Sequence, residues 1–381
     1  MIKWIIKSLK ESIMKKYFHI LILFLGMGLF GFSLGYLMDV QAIQAGPYGL
    51  YFLAVLFISL YLGLLLTVVI HEAGHLILGL ASGYRFVSFR IASWILIKNK
   101  QNHFDIKRYS LPGTLGQCLL DPPSHYGDPF PYKAYLLGGV LANGLTACLF
   151  LTLIIRGHLF GYPALVAYIL AGINLFLGVT NAYPFKNSDT TTDGVILQQL
   201  RKAPELSKYL WAQLKINALF QSGQRLKEIP QDYFVANDDH PLASIIRVFD
   251  NNRLMDDGCY QEANAHRQAL RQDPQLPAIY KSLLALDQVF FNLVQDQAQA
   301  DLSLLEDPQV KQIKSAMKKL PSMLRLDYAL ALLKDQDPTQ AANFKKQFDQ
   351  ALRHHPSQGE ISLEQDLLAL VDQVAQSAIN H

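Results

Sequence analysis

Charge is what the first half of this 381-residue chain has little of. Between Asp39 and Arg85 the single formally charged residue is Glu72, and residues 17–38 contain no Asp, Glu, Lys or Arg. Segments this depleted do not suit a water-facing surface; at about 1.5 Å per residue in a helix they are long enough to cross a hydrocarbon core about 30 Å thick. Cysteine is scarce too. Cys118, Cys148 and Cys259 lie far apart, so no disulfide framework or cysteine-rich zinc module follows, and three reduced thiols are expected. There is no concentrated basic face either: the net charge is +3 and the basic residues sit beside apolar runs, which fits a membrane surface rather than nucleic acid.

What is present is a series of apolar runs. Four spans are expected, at about 17–38, 50–80, 134–155 and 159–183. Lys3, Lys7, Lys10, Lys15 and Lys16 before the first run resemble a signal-peptide n-region. The run is too long for an h-region, however, and Asp39-Val40-Gln41 offers no small-residue cleavage site, so it is read as a retained helix. Basic residues gather before the first span and between the second and third, from Arg85 and Arg90 to Lys133, whereas the opposite loops hold only Arg156. The positive-inside rule then places both termini and the middle loop in the cytoplasm. A multi-pass protein of a plasma membrane, bacterial by its short chain and four spans, is the expectation.

Composition shifts near residue 200. Residues 1–200 hold 14 Lys and Arg against 8 Asp and Glu, while residues 201–381 hold 20 against 23. Residues 1–200 are therefore assigned to a transmembrane domain and 201–381 to a cytoplasmic helical domain. In the latter, amphipathic helices are broken at Asp273-Pro274, Asp307-Pro308 and Asp337-Pro338. The stretches Gly258 to Asp273 and Asp337 to Pro356 share an acidic turn, an Ala-Leu pair and a closing Pro. They read as tetratricopeptide-like hairpins in a solenoid, with a plain bundle as the alternative. Such a module suits a cytoplasmic protein partner. His354-His355 reads as a solvated helix end.

Between spans two and three, residues 85–97 are rich in β-branched and aromatic types, and Lys98 to Asn102 reads as a turn. A hairpin over about 85–107 is expected, with Pro112 to Pro123 as loop. It serves either to hold a substrate extended by β-augmentation or to rest at the membrane surface with Trp94 at the interface. The fold class is thus mainly α: a polytopic membrane helix bundle with a small β-hairpin insertion and a C-terminal helical domain.

The chemistry lies inside the second span. His71-Glu72-Ala73-Gly74-His75 matches H-E-x-x-H, which on a helix puts both imidazoles on one face within reach of one Zn²⁺. Glu72 beside it can take a proton from the attacking water and return one to the leaving amine of a peptide. Ionisable groups in a membrane helix are costly, by at least about 2.5 kcal/mol for a charge at the centre, and usually functional. A proton relay would also use Glu and His, but does not require the i, i+4 pair. A hydrolytic zinc commonly takes three protein ligands, and after the fourth span Asp189 and Asp193 are both available.

In these motifs, residues about 50–200 resemble the site-2 protease family of intramembrane zinc metalloproteases, of the bacterial type and without an evident PDZ insertion. Asn181-Ala182-Tyr183-Pro184 and Asp193-Gly194 are similar to that family's N-x-x-P and D-G motifs, and Gly138 to Asn143 resembles its glycine-rich stretch ending in Asn. The resemblance implies His71, His75 and Asp193 as zinc ligands, with Asp189 the alternative third. It also implies Glu72 as catalytic base and Asn143 as a substrate-positioning or oxyanion-stabilising amide. The implied substrate is a transmembrane protein or peptide precursor cut in or next to its membrane segment. The alternative function is a non-proteolytic membrane scaffold acting through its cytoplasmic domain.

Overall fold

The computed structural model describes Gly26 and residues 28–40, 49–98, 103–123, 125–183, 192–295 and 300–379. It is mainly helical, with one small antiparallel sheet. Helices α2 (Leu50–Ala81), α3 (Tyr132–Ile155) and α4 (Tyr162–Ala182) are long and apolar enough to cross a membrane. They are apolar on all sides, as lipid-facing helices are, so they carry no amphipathic stripe. A shorter apolar helix, α1 (Gly28–Val40), precedes them, and most of the expected first span at 17–38 lies outside the described residues.

The chain divides into two compact units interleaved in sequence. The first takes residues 1–70 and 140–179. Leu165 and Ile169 of α4 are fully buried against Leu34 and Met38 of α1 and Phe52, Val55 and Leu56 of α2. The Asn174 side-chain amide donates to Thr67 Oγ1 at 2.9 Å, a polar tie between α4 and α2 of the kind that fixes helix packing within lipid. Phe32, Phe57, Tyr61, Leu145 and Ile155 are exposed, a surface suited to acyl chains and not to water.

The second unit takes residues 71–139 and 180–381. Its sheet runs β1 (Arg85–Ile91), β2 (Trp94–Lys98), β3 (Phe104–Arg108) and β4 (Gly116–Asp121), in the spatial order β3-β2-β1-β4. This corrects the hairpin expectation twice. Residues 85–97 are not one strand: Ala92, at φ 49°, turns the chain so that Ile91 pairs with Trp94. Two-residue hairpins need positive φ, which alanine does not advertise. Here tertiary bonds impose it, for the Arg90 guanidinium donates to the carbonyls of Ala92 and Thr114, and the Ala92 amide donates to Leu115. Arg90, counted as a loop charge, is fully buried. Secondly, Gly116 to Asp121, expected as loop, is β4 paired with β1, and its contiguous buried run Cys118-Leu119-Leu120 lacks the alternation that marks a half-buried strand.

Helices α5 (Asp193–Lys202), α6 (Ser207–Ser222), α7 (Pro241–Asp256), α8 (Tyr260–Gln272), α9 (Ala278–Gln295), α10 (Pro308–Ala316), α11 (Pro321–Ala329), α12 (Pro338–His354) and α13 (Gln358–Ile379) complete this unit. The compositional change near residue 200 falls within α5. Helix α6 packs on the sheet, where Lys215 bridges to Asp121 at 2.7 Å and the Trp211 indole donates to the Pro123 carbonyl. His355 is no solvated helix end. It is 2% exposed and meets the Tyr109 ring at 5.1 Å, while its carbonyl accepts from Lys107 Nζ. Its burial comes from the chain segment around β3, about 250 residues away in sequence, a contact that local pattern does not encode.

Deeper in the helical array, Arg325 is 2% exposed; its Nε donates to Glu364 at 2.7 Å and its guanidinium lies 3.9 Å from the Phe290 ring centroid. Arg325→Ala strands the buried Glu364 carboxylate and is expected to destabilise the domain by about 3–5 kcal/mol. Lys311→Ala, which removes the exposed pair with Glu306, is expected to leave the thermal melt followed by circular dichroism unchanged.

Candidate metal centre

His71 and His75 lie one helical turn apart on α2, so their rings share a face. Their Nε2 atoms are 3.2 Å apart and the ring planes stand at 82°. Asp193 is the first residue of α5, capped by Thr192, whose hydroxyl accepts from the Val195 amide. A carboxylate suits that place, where unpaired amides give the helix its positive end. Asp193 Oδ2 lies 3.3 Å from both imidazole Nε2 atoms.

Two glycines allow the three side chains to converge. A Cβ on Gly194 would collide with the Ala182 carbonyl, so α5 begins directly against the main chain that ends α4. The Asn181-Ala182 and Asp193-Gly194 motif pieces therefore meet in space. A Cβ on Gly139, in the first turns of α3, would stand 2.6 Å from Nε2 of His71 and of His75, filling the space beside the converging nitrogens.

The hydrogen bonding fixes the chemical character of this triangle. His75 Nδ1 lies 2.7 Å from the Tyr135 carbonyl oxygen. A carbonyl only accepts, so Nδ1 carries a proton and donates it, which turns Nε2 towards His71 and Asp193. Burial alone raises the Asp193 carboxyl, but hydrogen bonds with His71 and His75 outweigh it and hold the group at about 2. Two imidazole nitrogens and a carboxylate oxygen thus converge on one point, the donor set of a candidate metal site.

Glu72 is half-buried and offset from the His pair by its place in the helix. It lies within the electrostatic reach of the Cys118 backbone amide in β4. Burial pushes the Cys118 thiol up, which favours its protonated form. Asn143 belongs to the first unit, fully buried on α3, where a Cβ on Gly178 would touch it at 3.4 Å. Asp189 and Pro184 lie outside the described residues. Three participants escaped sequence reasoning: the Tyr135 carbonyl, the β4 main chain and the space-making role of Gly139. Only Gly139 left a trace, as half of a Gly-Gly pair in an apolar helix.

No family model, curated protein or solved structure matches this chain. Its function is therefore read from the geometry of this site.

Gly194→Ala is expected to lower the unfolding midpoint of the detergent-solubilised chain, overpacking of this kind costing about 1–3 kcal/mol. Gly144→Ala, whose Cβ meets nothing within 4 Å, is the matched substitution expected to leave the midpoint in place.

Proposed function

We propose that this chain is an intramembrane zinc endopeptidase of the site-2 protease type, hydrolysing a peptide bond in or next to a transmembrane segment. The supporting observation is the His71–His75–Asp193 triangle at the end of a membrane-length helix, with edges of 3.2, 3.3 and 3.3 Å. Ligands about 2.0–2.1 Å from a tetrahedral Zn²⁺ stand about 3.3–3.4 Å apart, so the donors fit that ion without rearrangement. Two nitrogens and one carboxylate oxygen are also a donor set known from catalytic zinc, leaving a fourth position open.

A bound zinc ion supplies a Lewis acid that polarises the peptide carbonyl and acidifies water. The chain's own residues supply the rest. His71, His75 and Asp193 hold the ion, and the Tyr135 carbonyl keeps the His75 ring oriented, as outer hydrogen bonds do for metal-bound histidines. Glu72 accepts the proton of the attacking water and passes it to the departing amine. Asn143 is assigned to positioning the substrate backbone.

An enzyme of this kind must hold its substrate extended, because a helical peptide bond is shielded. We assign the substrate clamp, by strand addition, to the hairpin, whose edge strand β3 is exposed. Trp94, Phe104 and Ile106 are exposed and suit the lipid interface. The helical array from α6 onwards is assigned to a cytoplasmic protein partner, in a tetratricopeptide-like arrangement, and the protein to a plasma membrane with both termini cytoplasmic.

Glu72→Gln is expected to retain zinc, measured by elemental analysis of purified protein, while cleavage falls by about 10²–10⁴. His75→Ala and Gly139→Ala are both expected to lose zinc, the second with every ligand still present. Cleavage that survives in Glu72→Gln would sink the assigned base. A cellular role lost on truncation after residue 200 but kept in Glu72→Gln would favour the scaffold instead.

A further inference from the structure

Tyr135 touches the site from two directions, through its main chain and through its side chain. It sits in the first turn of α3. Its carbonyl takes the His75 Nδ1 proton at 2.7 Å, and its hydroxyl donates to the Cys118 carbonyl of β4 at 3.0 Å. Its ring lies 5.4 Å from the His75 ring and stacks at 5.2 Å on Tyr84, whose own hydroxyl is buried with no hydrogen-bond partner among the described residues. The amide of the same Cys118 lies by Glu72. In an antiparallel strand the amide and carbonyl of one residue project to the same side. Both main-chain groups of Cys118 therefore face α2 and α3, on the side of β4 that no other strand among the described residues covers.

We infer that Tyr135 is a positioning residue whose hydroxyl braces the edge strand β4 against α3 and so holds the Cys118 amide, and with it the Glu72 carboxylate, in place. The inference rests on the endopeptidase reading for its consequence, though not for the brace itself. Metal binding and strand position are separable at this one residue, because the bond to His75 comes from the main chain and the bond to Cys118 from the side chain. A phenylalanine in its place keeps the first and deletes the second.

The test compares Tyr135→Phe, Tyr84→Phe and His75→Ala with the wild type, each as full-length protein in detergent micelles. Three quantities are read: amide hydrogen exchange over residues 116–121, the visible absorption of added Co²⁺, and hydrolysis of fluorescein-labelled casein. In Tyr135→Phe, exchange over the strand is expected to rise about tenfold, the scale of one lost hydrogen bond. Its Co²⁺ spectrum is expected to match the wild type, and kcat to fall about 10- to 100-fold with a smaller change in KM, as for a misplaced reacting group. Tyr84→Phe, which loses a hydroxyl without a partner, is expected to leave all three unchanged. Unchanged exchange in Tyr135→Phe would overturn the brace, as would a Co²⁺ spectrum disturbed as much as in His75→Ala. A wild type that takes up no Co²⁺ would instead count against the metalloprotease reading, and the exchange comparison would then decide the brace by itself.

Discussion

Within a membrane-length helix, two imidazoles and a nearby carboxylate lie with their acceptor atoms little more than 3 Å apart. Each group alone would be costly to bury in an apolar setting; together they share contacts that lower the cost. Their convergence depends on three neighbours. Tyr135 must offer a carbonyl to turn His75 Nε2 inward, Gly139 must leave the adjoining space empty, and Gly194 must let a new helix begin against the main chain of the previous one.

Close approach of backbones is the device used throughout. Gly139 and Gly194 stand where any side chain would collide, one beside the imidazole nitrogens and one against the Ala182 carbonyl. In water, apolar area could drive helices together; among lipid tails that driving force is missing, so tight contact depends on small residues and a few polar ties. Asn174 with Thr67 is such a tie in the first unit. In the second, the sheet has a different anchorage. Lys215 with Asp121, Trp211 with Pro123 and Lys107 with His355 bind it to the helical array, and Tyr135 binds its edge to α3.

This anchorage ties the helical array to the elements around the His71–His75–Asp193 cluster. The sheet that carries β4 packs with α6 and the start of α13 in one compact unit, and that unit also contains His71, His75 and Asp193. The helical array is therefore in continuous contact with the strand beside Glu72. The buried charge network around Arg325 makes the array itself a defined body and not a loose tether.

Local spacing was enough for much of this. The charge-free runs marked the long helices, because an uninterrupted apolar surface has only one suitable solvent. The i, i+4 pair placed His71 and His75 on one face, because helical geometry allows nothing else, whereas the preference for Asp193 over Asp189 came from the resemblance of Asp193-Gly194 to a D-G motif and not from spacing. Tertiary structure decided the remainder. Whether Gly116 to Asp121 is loop or strand depends on β1 lying alongside, whether Ala92 turns depends on the Arg90 guanidinium, and whether His355 meets water depends on a segment about 250 residues earlier. The same holds for Tyr135, an ordinary aromatic at a helix start until the fold brings His75 to its carbonyl and Cys118 to its hydroxyl. Periodicity is a property of neighbours in the chain, whereas a hydrogen bond between distant segments exists only once the whole has packed.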